Sequence, residues 1–159
     1  KDTVRKKKNS LDAVVTYQAK DSILMTAGNW AYLFGEGNVK YRQIELQSEV
    51  IEMNMDSSLV FAKFGLDSIG EEFGYPLFKD GEQQYESKTM RYNFGTKKGY
   101  ITDVITQQGE GFVTAGRTKK MANNDMFMME GSIPPATTMT ILTFICSFPK
   151  RRFVLKRIL

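Results

Sequence analysis

One short stretch constrains the fold of this chain more than any other: IELQSEVIEMNM, residues 44–55. Ile44, Leu46 and Val50 are apolar at even positions, with Glu45, Gln47 and Glu49 between them. After Val50 the phase reverses, so that Ile51, Met53 and Met55 are apolar and Glu52 and Asn54 separate them. Alternation with a period of two marks a half-buried strand. A flat strand cannot change phase without turning its apolar side chains to the other face. A bulge or corner near residues 49–51 resolves the conflict, so this strand is expected to bend around a core.

The flanking sequence reads the same way. Residues 11–18 and 21–26 are rich in Val, Ile, Thr and Tyr, which suit a pleated surface. Ala27-Gly28-Asn29 signals a turn, WAYLF (30–34) a strand, and GEGN (35–38) a second turn before Val39 and Tyr41 alternate with Lys40 and Arg42. LVFAKF (59–64) is a strand, and the Gly-rich residues 65–83 read as a loop with at most one short strand. Residues 84–94 form a strand, 95–99 turn, and 100–107 return, a hairpin pattern. GEG (109–111) turns again before strands at 112–118 and 126–129. No segment sustains a helical period, which predicts an all-β domain. A modest internal repeat is present: Tyr17-Gln18-Ala19-Lys20 matches Tyr85-Glu86-Ser87-Lys88 in type, and Gly35-Glu36-Gly37 is echoed by Gly109-Glu110-Gly111. It suggests stacked hairpin rungs rather than a strict solenoid.

Composition narrows the chemistry. The 159 residues suffice for one domain with a core. With no His and one Cys, a zinc site lacks its usual ligands and a Ser/His/Asp or Cys/His triad cannot be built. The whole chain is +4, yet residues 1–8 carry +4 and residues 132–159 carry +5, which leaves −5 on residues 9–131. A folded nucleic-acid binder carries its basic patch on the fold, so no nucleic-acid partner is expected, and residues 1–10 are expected to be a flexible basic arm. The charged start lacks the apolar segment of a signal peptide, which fits a cytoplasmic protein or a mature or excised segment. The longest apolar run, residues 139–148, is shorter than the roughly 20 residues of a membrane-spanning helix.

Three local signals carry little chemistry. GEGNVK and GEGFVT lack the Lys-Ser/Thr ending of a phosphate loop and read as turns. Glu45, Glu49 and Glu52 read as solvated strand residues, and Asp67, Glu71 and Glu72 lack calcium-loop spacing. No catalytic residue, metal ligand or cofactor is expected. Nine Met, eleven Phe and seven Tyr are more informative. They fit a β core, or a groove for irregular apolar ligands such as acyl chains, to which Met adapts well.

The segments YQAKDSILM (17–25), YLFGEGNVKY (32–41), IELQSEVIEMNM (44–55), YESKTMRYNF (85–94), KKGYITDVITQQGEGFV (97–113) and GRTKKMANNDMFMMEG (116–131) carry a resemblance. Residues 11–131 resemble the OstA/LptD-like proteins of lipopolysaccharide export, most closely LptD-like proteins of Bacteroidetes. The resemblance implies a bent, taco-shaped β-jellyroll of the LptA type, located in the periplasm and associated with the outer membrane. It implies lipopolysaccharide as ligand, other jellyroll Lpt proteins joined by edge-strand addition, and an outer-membrane barrel in a full-length relative. On strand parity the groove candidates are Ile23, Met25, Leu33, Val39, Tyr41, Ile44, Leu46, Ile51 and Met53, with the lumen face left open. A structural β-domain that assembles edge to edge without lipid is the alternative, and a glycan-acting enzyme using a close carboxylate pair in residues 67–82 is a third.

Residues 132–159 depart from the family, which continues with Cys-Asp and then His- and Pro-containing sequence. Back-translation of residues 133–149 with suitable codons gives STCDNHDHPHFYLQLS in another frame, which is family-like. The tail is therefore expected to be a frameshift product outside the domain.

Overall fold

The computed structural model describes residues 11–108, 111–132, 142–147 and 152–155, so the arm expected over residues 1–10 lies outside the described residues. All regular elements among them are strands: β1 (Val15–Gln18), β2 (Ser22–Thr26), β3 (Trp30–Tyr41), β4 (Ile44–Asn54), β5 (Leu59–Lys63), β6 (Gly65–Leu66), β7 (Glu72–Phe73), β8 (Leu77–Asp80), β9 (Gln83–Glu86), β10 (Thr89–Asn93), β11 (Lys98–Gln108), β12 (Gly111–Lys120), β13 (Asp125–Ser132), β14 (Leu142–Ser147) and β15 (Arg152–Leu155). Apart from the small β6-β7 ribbon they form one antiparallel sheet of 13 strands.

That sheet divides and rejoins. The first half of β4 pairs with β8 (Ile44 opposite Asp80, Gln47 opposite Leu77), whereas its second half pairs with β5 (Val50 opposite Lys63, Asn54 opposite Leu59). β11 mirrors this, pairing with β10 near its start and with β9 at Ile105 and Thr106. Two routes therefore lead from β4 to β11, one through β5 and β10, the other through β8 and β9. The surface they enclose wraps a single core, and the chain is an all-β jellyroll.

The phase break of residues 44–55 is a real corner. Ile44, Leu46 and Ser48 are buried, Glu49 and Val50 are half-buried, and burial resumes at Ile51 and Met53. Opposite them β3 carries a bulge: Phe34 faces Val50, but Gly37 faces Ser48, so β3 spends one residue more. Gly35 and Glu36 absorb the extra residue at φ 75° and 47°. GEGN is therefore a bulge inside one continuous strand, not the turn expected from its glycines. The break crosses the neighbouring strands too. Inward burial passes from Ile101 to Val104 on β11 and from Thr118 to Ala115 on β12. Asp103 (φ 49°) and, on β13, Glu130 (φ 57°) take left-handed conformations at the same line.

The internal repeat marks this crossing. β1 and β2 both pair with β3, and β9 and β10 both pair with β11. Tyr17-Gln18-Ala19-Lys20 and Tyr85-Glu86-Ser87-Lys88 each span the gap between two such strands. Lys20 N donates to Gly35 O at 2.8 Å, and Lys88 N donates to Thr102 O at 3.1 Å, each beside the left-handed residue of the shared partner. Residues 84–94, expected as one strand, thus divide into β9 and β10 because each half belongs to a different route.

Candidate functional site

Directly opposed residues of antiparallel strands point to the same face, so the register traces rows across the sheet. One row begins at Ile23 and continues through Leu33, Ile51, Ala62, Met90, Ile101 and Thr118 to Met128. The next begins at Met25 and runs through Ala31, Met53, Val60, Tyr92, Gly99 and Lys120 to Met126. Beyond the corner, Tyr17, Val39, Leu46, Phe78 and Tyr85 form a third row, and Val15, Tyr41, Ile44 and Asp80 a fourth. All groove candidates lie on these inward rows.

Their environments differ. Leu33, Val39, Tyr41, Ile44, Leu46, Ile51 and Met53 are buried in one hydrophobic cluster. Ile23 and Met25 are 43% and 55% exposed on the edge strand β2, whose five residues are all exposed. The inner rows therefore run from a solvent-exposed apolar lip into the core without changing face. Each fully buried aliphatic side chain in them contributes about 1.5–3 kcal/mol.

Rings from both sides of the corner fill the interior. Tyr41 packs on Phe94 at 5.4 Å, Phe94 on Tyr92 at 5.5 Å, Tyr92 on Phe78 at 4.9 Å and Phe78 on Tyr85 at 6.1 Å, measured between centroids. Gly99 makes room for this cluster, since a Cβ there would stand 3.1 Å from Tyr92 Cδ2. Burial pushes the Tyr92 phenol far above its usual range, so it stays neutral. Tyr41 is tied outward by its hydroxyl, which donates to Asp12, and this bond raises the Tyr41 phenol and lowers the Asp12 carboxyl. Met90, Tyr92 and Phe94 lie in the segment 84–94 expected as a strand. Phe78 gave no signal inside a Gly-rich stretch.

Charge enters the interior at Lys120, whose Nζ lies 3.3 Å from Asp80 Oδ2 and donates to Asn124 Oδ1 at 2.6 Å. Asp80 also accepts from Gln43 Nε2 at 2.8 Å. Thr118 Oγ1, two residues before Lys120 on the same face, is buried without a hydrogen-bond partner among the described residues.

The outer side of the corner holds a polar pocket of about 430 Å³, with Asn38, Gln47, Glu49 and Tyr75 in its wall. Beside it, Glu45 accepts from Asn38 Nδ2 at 2.7 Å and Gln47 Nε2 at 2.9 Å, with Lys40 at 3.2 Å. These partners, the Asn38 amide first, hold the Glu45 carboxyl down at about 2 despite its burial. Carboxylates of the 67–82 segment have structural partners: Asp67 Oδ1 accepts from Ile69 N and Glu71 N, and Glu72 engages Lys88 and Tyr75. Among the described residues no group of three or more Asp, Glu, His or Cys side chains is placed to hold a metal ion.

No family model matches the sequence, and no curated protein matches it. Among solved structures the chain is similar to LptH of Pseudomonas aeruginosa, the LptA-homologous periplasmic component of the conserved lipopolysaccharide transport device, with a TM-score of 0.59. The match covers 91% of this chain and 95% of that chain at 10% sequence identity. At that identity the likeness establishes the fold: the bent all-β jellyroll derived above from register and burial is also the fold of LptH.

Proposed function

We propose that this chain binds the acyl chains of lipopolysaccharide along its inward rows and conducts the lipid across the periplasm toward the outer membrane. The observation that carries the reading is the continuity of two rows from exposed Ile23 and Met25 to buried Leu33, Ile51 and Met53. An acyl chain lying on β2 meets the same apolar face inside, and it advances where the two layers part. Met25, Met53, Met90, Met126 and Met128 give the rows side chains that re-pack around an irregular ligand. The likeness to LptH supports the reading through the fold. In this reading the chain catalyses no reaction and needs no cofactor. It joins other jellyroll Lpt proteins through edge-strand addition and delivers toward an outer-membrane barrel, which in a full-length relative is part of the same protein.

The test is photo-crosslinking with p-benzoylphenylalanine at Ile23, Met25, Leu46 and Met53 in the presence of lipopolysaccharide. The lip positions tolerate the substitution because they are exposed. Crosslinks are expected at the lip and at Met53 or Leu46. A correctly folded protein that crosslinks at none of the four positions overturns the reading.

A second reading is favoured by the closed packing of the interior. With Leu33, Val39, Leu46 and Ile51 each at 0% exposure, the domain also suits a structural module that assembles through β2 without lipid. Concentration-dependent oligomers in the absence of crosslinks select it. Both readings concern residues 11–131. The frameshift origin proposed for residues 132–159 is tested by sequencing the coding DNA. A gene with no alternative frame encoding Cys-Asp followed by Pro-His removes it.

A further inference from the structure

The outer face of β10 to β13 presents an arrangement that the interior reading does not use. Register places Arg91 opposite Tyr100, Tyr100 opposite Lys119, and Lys119 opposite Phe127. One outward row therefore alternates cation, aromatic, cation, aromatic over about 14 Å, the width of four strands. A parallel row sets Arg117 opposite Met129. Tyr100, Phe127 and Met129 are 47%, 39% and 46% exposed. Arg91 and Lys119 are exposed and form no ion pair among the described residues. Three acids near this row are engaged: Glu130 with Arg117 at 3.2 Å, Glu52 with Lys63 at 3.7 Å, and Asp125 at the start of β13 with Asn123 at 2.7 Å. This concentration of free cations stands out on residues 9–131, which net −5.

We infer that this face docks on an anionic phospholipid bilayer. Arg91 and Lys119 answer lipid phosphates, and Phe127, Met129 and Tyr100 enter the interfacial zone beside them. Exposed Phe and Met next to one another call for hydrocarbon, which a bilayer offers and a soluble polyanion does not. Tyr suits the interface because its ring is apolar and its hydroxyl stays wet. The docking is independent of the interior: it leaves the inward rows free, so the proposed lipid track and this face are separable.

The test uses the full chain with Trp30→Phe and a reporter Phe127→Trp, titrated with vesicles of phosphatidylcholine and phosphatidylglycerol that carry bromine near the headgroup. The basic residues 1–8 and 132–159 attract the same vesicles, but only contact of this face quenches a reporter at position 127. Quenching is expected with anionic vesicles and not with pure phosphatidylcholine. Arg91→Gln with Lys119→Gln is expected to lower the apparent affinity seen by the reporter on the order of 25-fold. Absence of quenching while the protein co-sediments with the vesicles overturns the inference. So does quenching that the double charge variant leaves unchanged. Crosslinking at Met25 and Met53 to lipopolysaccharide is expected to survive the charge variant, which keeps failure of this face distinct from failure of the interior.

Discussion

Lys120 Nζ lies 3.3 Å from Asp80 Oδ2 inside the jellyroll, with the two side chains 2% and 10% exposed. The pair joins β12 to β8, strands that do not pair with each other, and so ties the β8-β9 route across the interior to a strand beyond β11. Removing one partner leaves a charge with poor access to water, which typically costs about 3–5 kcal/mol. Lys120→Met alone is therefore expected to destabilise strongly in urea unfolding. Combining it with Asp80→Leu is expected to recover most of the loss, because the apolar replacements leave no orphaned charge. A double variant as unstable as the single one would show that packing, not charge, sets the effect.

Thr118 interrupts the first inward row between Ile101 and Met128 with a hydroxyl that finds no partner among the described residues. Burying an unpaired hydroxyl costs about 1–3 kcal/mol. Thr118→Val keeps the shape and removes the hydroxyl, so it is expected to raise the midpoint of thermal unfolding by a few degrees. A lowered midpoint would mean that the hydroxyl is satisfied in solution.

The corner gives a pair of predictions of opposite sign. Gly35 has φ 75°, and a Cβ there would stand 2.4 Å from the Asp21 carboxyl. Gly35→Ala is expected to destabilise by about 1–3 kcal/mol, from left-handed strain and from displacement of Asp21. Asp103 is exposed with φ 49°, so Asp103→Gly relieves strain and is expected to be neutral or stabilising by up to about 1 kcal/mol. Chemical denaturation of the two variants side by side checks the geometry of the line.

Glu45 makes stability depend on acid. Its carboxyl is held down from 4.5 to about 2 in the folded state, chiefly by the Asn38 amide and then by Gln47 and Lys40. A lowered folded-state value means that the contribution is complete above pH 4.5 and disappears as pH falls through about 2. Its ceiling is about 3 kcal/mol, reduced in practice by solvent reaching the side chain. Glu45→Gln is expected to lower stability at pH 7 and to flatten the loss between pH 4.5 and 2. An unchanged acid slope would place the titrating group elsewhere.

Local chemistry carried much of the fold into view. Period-two alternation located the end of β3 and β4, turn signals located β5, β11 and β12, and the reversal after Val50 located the corner. The reversal was legible because apolar side chains must reach one core from both halves of a bent strand. Gly35-Glu36-Gly37 misled for a related reason. Two glycines with an acid between them serve a hairpin turn or a bulge equally well, and the choice depends on whether β4 lies alongside. Residues 84–94 likewise look like one strand, because the break at Ser87 and Lys88 reflects a change of partner rather than any breaker residue.

The groove candidates show the same division. Strand parity picked Ile23, Met25, Leu33, Val39, Tyr41, Ile44, Leu46, Ile51 and Met53 strand by strand, because alternation is a property of each strand alone, and the register of the sheet puts them on one common face. Whether a member of that face is a lip or a core residue depends on how many strands stand over it. Only the tertiary structure left Ile23 and Met25 on an uncovered edge and closed the layers over Leu33 and Ile51. Asp80 meets Lys120, and Arg91 lines up with Lys119, for the same reason. Residues 40 positions apart meet across the interior, and residues 28 apart share a row through sheet register, and both relations belong to the assembled sheet rather than to any single segment.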